Sequence, residues 1–422
     1  MMNPIQRSSQ IHPPIKLNQN VSQPQSKFWF VLGREPLLSA AELFSLLDNE
    51  SITISSPLAW SEGKLDAAKL MRQLGGVIKI GKELKGDLNW ADIKKAVTSD
   101  LLKNPGKLIF GLSAYQGLTE QISAAEIKEL GYDIKNDLKQ QERSARLINK
   151  DSLALPAATI AATNLVARGS EYLIWEDPQT KKFALAKTVA IHEFAEWGER
   201  DFGRPSRDAK AGMLPPKLAR IMLNLANLSL NSNILDPFCG SGTILTEAVL
   251  LRYNKITGSD VADVAIQDSQ ANVAWIKQDK NNEILSAVSL IQTDVRDLSR
   301  KISNESIDGI ITEPFLGPPL RGQETPGELV ANTMALSNLY IEAFQSFTKI
   351  LKPGAVVIFI FPQFVMKNKI YRTAEAAVSK IKKFGFRPEP LLPATISPEP
   401  FVLYRRPHQF VGREIWKFRF TA

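Results

Sequence analysis

The chain has 422 residues, of which 44% are hydrophobic and 23% are charged; this composition predicts a soluble globular protein of two or more domains. No apolar run approaches the roughly 18–20 residues that a membrane helix needs, and a single cysteine excludes an internal disulfide. The net charge of +8 fits a polyanionic partner as well as plain solubility, so charge alone leaves both open. Three scattered histidines form no metal cluster, and we expect an intracellular protein that binds neither metal nor membrane.

The first half of the chain predicts a small α+β region. Residues 1–26 are rich in Pro, Gln, Asn and Ser, and we expect a disordered tail there. Strand and helix patterns then alternate over residues 27–196. The predicted strands are 28–32, 77–80 and 108–112, with a hairpin formed by 172–175 and 183–186. The predicted helices are 38–47, a short one that begins near 70, and 124–130, closed by Gly131.

A basic stripe follows this last helix. Lys135, Lys139, Arg143, Arg146 and Lys150 recur at spacings that place them on one face of a helix. Such a stripe could contact RNA phosphates, whereas a solvated helix face is the commoner explanation of a run of charges. A change from helix to strand before Arg146 would break the stripe.

The second half of the chain predicts a parallel sheet. Residues 197–209 are polar and contain Gly203 and Pro205, which indicates a connector, so the second domain covers residues 210–422. Apolar strands are predicted at 234–235, 256–260, 288–292, 307–312 and 355–361, with helices at 218–228, from 243, through 274 and at 336–351. Such alternation is typical of a parallel sheet covered on both faces. The segments 401–405 and 414–420 predict an antiparallel pair that closes it.

Four of these strands end in an acidic residue. Asp236, Asp260, Asp294 and Glu313 each follow a predicted strand, and ligands of such sheets bind at the carboxyl ends of the strands. Singly, each acid could equally be a helix cap or a turn residue. The loop that follows Asp236 contains no lysine and lacks the phosphate-binding pattern GxxxxGK[ST]. Acids suit a ligand with an ammonium group, ribose hydroxyls and an exocyclic amine, which S-adenosylmethionine offers.

The chemistry of that ligand assigns the acids. Asp236 and the backbone of Gly240–Gly242 would lie against the methionine part, since glycine lets a ligand approach the main chain closely. Asp260 would accept hydrogen bonds from both ribose hydroxyls. Asp294 would accept from the adenine amino group, with Val295 against the ring. The lone cysteine, Cys239, is interpreted as a packing residue, because no histidine accompanies it in the loop.

The segment Thr312-Glu313-Pro314-Phe315 is the catalytic candidate. Methyl transfer to an exocyclic amine is difficult because the nitrogen lone pair is delocalised into the base. Glu313 and the Pro314 carbonyl could both accept from that amine and localise the lone pair, while Phe315 could stack on the base. The alternative is an ordinary loop in which proline follows a strand.

The residues from Arg204 onward resemble class I S-adenosylmethionine-dependent methyltransferases, most closely the THUMP-domain tRNA guanine-N2 methyltransferases. The motif at 236–243, DPFCGSGT, matches the donor loop of that family, and the segment MLPPKLA at 213–219 resembles the part that covers the donor. The resemblance thereby implies further donor-binding residues: Pro237, Phe238, Ser241, Thr243, Thr312, Met213 and Pro215.

The same resemblance implies a Rossmann-like methyltransferase domain preceded by a THUMP-like RNA-binding region over residues 27–196, acting on tRNA in the cytoplasm. One departure is visible, because the family usually has Asp-Pro-Pro-Tyr where this chain has Glu313-Pro314-Phe315-Leu316. The exact target base, the number of methyl groups added and the oligomeric state stay open. Two other functions stay open as well: an amino-directed DNA methyltransferase (adenine N6 or cytosine N4), or a non-catalytic RNA-binding protein that retains the fold.

Overall fold

The computed structural model describes residues 26–47, 52–115, 122–149, 151–207, 213–279, 286–366, 369–406 and 409–421. The chain divides into two compact units that separate between Gly203 and Arg204, apart from short N-terminal segments that include Phe44–Asp48 and are grouped with the C-terminal unit. The predicted tail lies outside the described residues except for Ser26, which begins the first strand, and Lys150 of the basic stripe lies outside them too. Among the described residues, no helix is both long enough and apolar enough to cross a membrane.

The described part of the N-terminal unit is one mixed sheet with helices. In chain order its elements are β1 (Ser26–Leu32), α1 (Pro36–Leu46), β2 (Ile52–Ser55), β3 (Leu58–Gly63), α2 (Ala67–Gln73), β4 (Val77–Leu88), α3 (Trp90–Leu102), β5 (Leu108–Tyr115), α4 (Ala124–Gln140), β6 (Ala145–Leu147), α5 (Ala157–Ala162), α6 (Leu165–Arg168), β7 (Ser170–Glu176), β8 (Phe183–Ile191), α7 (Phe194–Gly198) and a π-helical turn (Glu199–Gly203). The strand order is β2-β3-β1-β4-β8-β7-β5-β6, in which β5 runs parallel to both β6 and β7.

The predicted hairpin is confirmed, since β7 and β8 pair antiparallel. Its turn begins at Asp177, whose carboxylate accepts from the main-chain N–H of Gln179 at 2.8 Å. The predicted connector, 197–209, begins in helical structure: its first residues end α7 and continue in the π-helical turn.

Helix α4 does not end at Gly131, contrary to the prediction. Ser123 and Glu126 form a reciprocal capping box that starts the helix. Beyond Gly131 the helix continues to bury Ile134 and Leu138 at helical spacing. The glycine is needed for packing, because a Cβ there would lie 2.7 Å from a methyl group of Leu147. Close approach of another side chain, rather than a helix end, explains this glycine.

The basic stripe is not one helix face, which corrects the prediction. Lys135 and Lys139 lie exposed on α4, but the helix ends before Arg143. The Arg143 guanidinium donates hydrogen bonds of 2.7 and 2.9 Å to main-chain carbonyls in the turn that follows α3. Arg146 lies exposed on β6. The change of element separates the four basic residues into three different local structures.

The C-terminal unit is a second, mostly parallel sheet. In chain order its described elements are α8 (Pro216–Ala226), β9 (Asn233–Asp236), α9 (Thr243–Leu250), β10 (Lys255–Asp260), α10 (Asp263–Asp279), β11 (Ala287–Gln292), a 3-10 helix (Val295–Arg300), β12 (Ile307–Thr312), α11 (Pro326–Ile350), β13 (Leu351–Met366), β14 (Lys369–Arg372), α12 (Thr373–Lys383), β15 (Phe386–Glu389), β16 (Phe401–Tyr404) and β17 (Val411–Phe420). The strand order is β11-β10-β9-β12-β13-β17-β15, with β14 paired to β13 and β16 paired to β17.

This order confirms the predicted Rossmann-like architecture. Strands β11, β10, β9, β12 and β13 are parallel, and β17 is antiparallel to β13. The chain runs outward from β9 to β11 and then returns to the opposite side of β9 at β12. Strand order therefore reverses beside β9, and ligands of such sheets bind at the carboxyl ends of the strands at that reversal.

A core of aromatic side chains, called the aromatic core below, joins α11 to β13. Phe344 on α11 packs against Phe359 and Phe361 of β13, with ring centroids 5.0 and 6.4 Å away. Helix α11 begins at Pro326 rather than at residue 336 as predicted, because Thr325 and Glu328 form a capping box around its first turn.

Candidate functional site

The predicted acids lie at one edge of the C-terminal sheet. β9 ends at Asp236 and β10 at Asp260, Asp294 lies two residues after the end of β11, and Glu313 follows directly after β12. These strands are parallel neighbours, so their carboxyl ends meet at one edge. Hydrogen bonds tie these ends together, since Thr312, next to Glu313, donates to Asp236 and the Gly240 N–H of the loop after Asp236 donates to Asp260. The negative charges of Asp260 and Glu313 contribute to raising the pKa of Asp236.

Asp236 is held inside the protein. Its side chain is 3% exposed, and its Oδ1 accepts from the Thr312 hydroxyl at 2.6 Å and from the Phe238 main-chain N–H at 3.2 Å. No described residue donates to its Oδ2. Burial is the main cause that raises the pKa of Asp236 to about 7, and the two hydrogen bonds partly oppose that rise. Thr312 itself is buried, so its hydroxyl fixes the Asp236 carboxylate.

The loop after β9 depends on two glycines with positive φ. Gly242 has φ of +78°, and a Cβ there would lie 2.8 Å from the Ser269 hydroxyl oxygen. Gly240 has φ of +49°, and nothing lies within 4 Å of the position that its Cβ would take. The Gly240 N–H donates to Asp260 Oδ2 at 3.0 Å, which ties the loop to the end of β10. The open side of Gly240 is where a ligand can approach the main chain.

Two buried polar residues of α10 donate hydrogen bonds to main-chain carbonyls of this loop. Ser269 donates to the Gly240 carbonyl at 2.8 Å, and Asn272 donates to the Ser241 carbonyl at 2.8 Å. Asn272 also donates to the Ser206 carbonyl at 2.9 Å. Neither side chain was predicted from the sequence as a site residue. Their signal would have been a serine and an asparagine three residues apart in the helix that follows the acid of β10.

Arg204 was also missed. It joins Thr243 to Met213: its Nη1 donates to the Thr243 hydroxyl at 2.6 Å and its Nη2 to the Met213 sulfur at 3.1 Å. Met213 lies in the segment that leads to Pro215, the residue before α8. The structure thus brings Met213 and Thr243 together through a third side chain.

The three residues between Asp236 and Gly240 pack rather than face outward. Pro237 and Cys239 are buried, and Phe238 is half-buried against the aromatic core. Burial raises the pKa of the Cys239 thiol, with a smaller contribution from the charge of Asp236. This cysteine therefore has the environment of a packing residue.

Asp294 has the local role that the sequence analysis left as its alternative. It caps the 3-10 helix by accepting from the main-chain N–H of Arg296 at 2.9 Å. The Arg296 guanidinium donates to both of its oxygens, and these hydrogen bonds lower the pKa of Asp294. Val295 is 5% exposed and belongs to the core. The adenine contacts of Asp294 and Val295 stay a prediction.

Glu313, Pro314 and Phe315 offer a carboxylate, a main-chain carbonyl and an aromatic ring. Glu313 Oε1 accepts from Arg413 Nε at 2.5 Å, and Arg413 was not predicted as a site residue. Burial raises the pKa of Glu313, and the Arg413 charge opposes the rise. Pro314 is buried, and no described residue donates to its carbonyl. The Phe315 ring is 57% exposed, while its carbonyl accepts from the Tyr340 hydroxyl at 2.6 Å. An exposed ring therefore stands beside two hydrogen-bond acceptors.

A family model matches most of the C-terminal unit. Residues 204–388, which carry the acids, the glycine loop and Glu313, match a family model described as "RMKL-like, methyltransferase domain". These residues are similar to that methyltransferase family. Within the described residues, no group of three or more His, Cys, Asp or Glu side chains could hold a metal ion.

Two archaeal relatives resemble part of this chain, and both carry the name tRNA (guanine(10)-N2)-dimethyltransferase. The protein of Methanothermobacter thermautotrophicus is 30% identical over 154 residues, which is 36% of this chain and 40% of that protein. The protein of Methanocaldococcus jannaschii is 27% identical over 175 residues, which is 40% of this chain and 48% of that protein. The match thus spans less than half the length of either relative.

Solved structures extend the likeness in fold beyond the methyltransferase domain. The crystal structure of TrmN from Thermus thermophilus has a TM-score of 0.55 and 16% identity, and covers 94% of this chain and 99% of that one. The structure of SMU.472, a putative methyltransferase complexed with SAH, has a TM-score of 0.50 and 12% identity over 95% of this chain and 99% of that one. At these identities the likeness shows a shared fold.

Proposed function

We propose that the chain is an S-adenosylmethionine-dependent tRNA methyltransferase that methylates the exocyclic N2 amine of a guanosine. The observation that carries this proposal is the convergence of Asp236, Asp260 and Glu313 around the loop at Gly240, within a methyltransferase domain. The name shared by the two archaeal relatives supports tRNA and guanine N2 as the target.

The residues present fit the methyl donor. Asp236 Oδ2, to which no described residue donates, suits the ammonium group. Asp260 accepts one main-chain N–H on each oxygen, at 3.0 Å from Gly240 and from Ala262, and keeps further lone pairs for two ribose hydroxyls. The open side of Gly240 gives the ligand room against the main chain. When bound, S-adenosylmethionine supplies a methyl group from its sulfonium.

The acceptor amine would be oriented by the segment after β12. The Glu313 carboxylate and the Pro314 carbonyl accept hydrogen bonds from the amine and direct its lone pair, while the exposed ring of Phe315 stacks on the base. As the nitrogen forms its bond to the methyl carbon, the bonding pair of the broken S–C bond stays with sulfur. The nitrogen then loses a proton, for which Glu313 is the acceptor.

The N-terminal region over residues 27–196 would bind tRNA as a THUMP-like region in the cytoplasm, joined by the connector 197–209 to the methyltransferase domain at 210–422. Lys135, Lys139 and Arg146 are exposed and can contact phosphates, whereas the Arg143 guanidinium is bonded to main-chain carbonyls. Structured RNA is held mainly by shape and phosphate contacts, and the target base would be flipped out of its stack to reach Glu313.

Mass spectrometry of nucleosides tests the proposal. Unmodified tRNA is incubated with the protein and isotopically labelled S-adenosylmethionine, and the digest should contain labelled N2-methylguanosine or N2,N2-dimethylguanosine. Glu313→Gln serves as the control, and duplex DNA should stay unlabelled. Label in adenine N6 or cytosine N4 of DNA would replace the proposal with the DNA methyltransferase. Donor binding without transfer to any nucleic acid would favour the non-catalytic protein.

A further inference from the structure

The side chain that contacts Glu313 comes from a strand near the end of the chain. Arg413 lies one hundred residues further along, on β17, and its Nε donates to Glu313 Oε1 at 2.5 Å. The two side chains are 9% and 12% exposed. At Arg413, β17 pairs with Pro362 of β13 on one side and with Tyr404 of β16 on the other. The guanidinium therefore starts from a main chain that is fixed on both sides.

Arg413 is the cation that opposes the cost of burying Glu313. Burial raises the pKa of Glu313, and the charge and hydrogen bond of Arg413 lower it. Two other titratable groups feel the charge of this carboxyl: the Asp236 carboxyl at the end of β9, and the Tyr340 hydroxyl of α11, which donates to the Phe315 carbonyl at 2.6 Å. Neither carries positive charge, and Glu313 raises the pKa of both. The ionised state of Glu313 thus depends on Arg413.

The contact occupies one oxygen of the carboxylate. Arg413 takes Oε1, and no described residue donates to Oε2. A carboxylate fixed at one oxygen by a charge-assisted hydrogen bond has a defined direction for the other. Without the guanidinium, the carboxyl could rotate, and a protonated carboxyl would present a donor O–H where an amine needs an acceptor.

We propose that Arg413 is a positioning residue for methyl transfer: it holds Glu313 Oε1, so that Oε2 faces the amine of the acceptor base. This inference rests on the proposed function, because it gives Oε2 to the amine that receives the methyl group. It adds that the acceptor site is completed by the C-terminal antiparallel strands and is not built from the parallel strand ends alone.

The test compares Arg413→Gln and Arg413→Lys with Arg419→Gln. Arg419 lies on the same strand and pairs with Glu389 at 2.9 and 3.0 Å, so it matches the type of ion pair at a position outside the site. Rates with tRNA are measured across pH, donor affinity by calorimetry, and folding by circular dichroism and thermal melting. The Glu313 carboxyl is titrated by carbon-13 NMR and assigned with Glu313→Gln.

Arg413→Gln should lower kcat about 10- to 100-fold near neutral pH, and the donor Kd should stay within about twofold. The acid limb of its rate profile and the NMR titration of Glu313 should both move up by about one pH unit or more. Arg413→Lys should recover much of the rate because it keeps the charge, and Arg419→Gln should behave as wild type.

Two results overturn the inference: an unchanged Glu313 titration in Arg413→Gln, or a folded Arg413→Gln protein with the wild-type pH profile and rate. An active wild-type enzyme with either result leaves the proposed function standing and removes only the role of Arg413. A wild-type protein that methylates no tRNA removes the proposed function and, with it, the amine assigned to Oε2. The NMR titration still shows in that case whether Arg413 keeps Glu313 ionised.

Discussion

The two glycines of the donor loop should respond differently to the same substitution. Both have positive φ, so alanine at either position costs about 1–2 kcal/mol of backbone strain, partly offset by a stiffer unfolded chain. At Gly240 the new methyl group meets open space, and we expect a net loss of about 1 kcal/mol. At Gly242 it would lie 2.8 Å from the Ser269 hydroxyl oxygen and 3.1 Å from Ser269 Cα.

The second contact decides the magnitude at Gly242. A hydroxyl group can rotate away, but the Cα atom belongs to the main chain of α10, so the loop itself must shift. Overpacking of this kind adds about 1–3 kcal/mol, which brings Gly242→Ala to a total of about 2–4 kcal/mol. Ser269→Ala should therefore not rescue Gly242→Ala, because it leaves Cα and Cβ in place and removes the hydrogen bond to the Gly240 carbonyl.

Thermal melting of the full chain and calorimetric titration with S-adenosylmethionine measure the two effects. A loss of 1 kcal/mol should lower the melting temperature of a unit of this size by about 2–4 °C. Gly242→Ala should thus melt clearly below Gly240→Ala. Gly240→Ala should instead weaken donor binding about tenfold or more, since its methyl group enters the space given to the ligand. Equal melting temperatures would refute the role of Ser269, and wild-type affinity in Gly240→Ala would refute the position of the donor.

Three further outcomes are expected. Glu313→Gln removes the negative charge at nearly constant shape, so initial rates should show a fall in kcat of about 100-fold, with a donor Kd within about twofold of wild type by calorimetry. Burial raises the pKa of Asp236 to about 7, so the carboxyl gains charge as the pH rises through neutrality. Donor affinity should therefore increase between about pH 6 and pH 8, and titrations of Asp236→Asn should show no such increase. Combining Lys135→Gln with Lys139→Gln should weaken tRNA binding and reduce its salt slope by about one to two, whereas Arg143→Gln should leave the slope unchanged; filter binding at several salt concentrations would contradict this if the slopes agreed.

The parallel half of the fold was predictable because its signals are local. Each strand is a short apolar run, and the acid after it lies within two residues of the strand end, as at Asp236 and Asp260. The carboxyl ends of parallel strands share one edge, so the sequence alone predicts that these acids converge. The same reasoning placed Asp294 at this edge. It could not show that the Asp294 carboxylate would accept hydrogen bonds from Arg296, two residues away.

The errors in the two helices have different causes. Gly131 was interpreted as a helix end from local propensity, whereas the packing of Leu147 against it explains the glycine and the helix continues. The start of α11 was placed too late although its capping signal, Thr325 followed three residues later by Glu328, is visible in the sequence. Tertiary packing outweighed propensity in the first case, and an available signal was not used in the second.

The reach of two side chains explains why Arg413 could not be predicted from sequence as part of the acceptor site. The end of β12, Thr312, pairs with Phe359 of β13, and β13 continues beyond it to Pro362, which pairs with Arg413. Arg413 therefore lies two strands away from Glu313 and further along the sheet, and two strand spacings amount to about 10 Å. The long arginine and glutamate side chains together bridge that distance and meet in a hydrogen bond of 2.5 Å. Arg413 is thus a partner that only the sheet order brings within reach of Glu313.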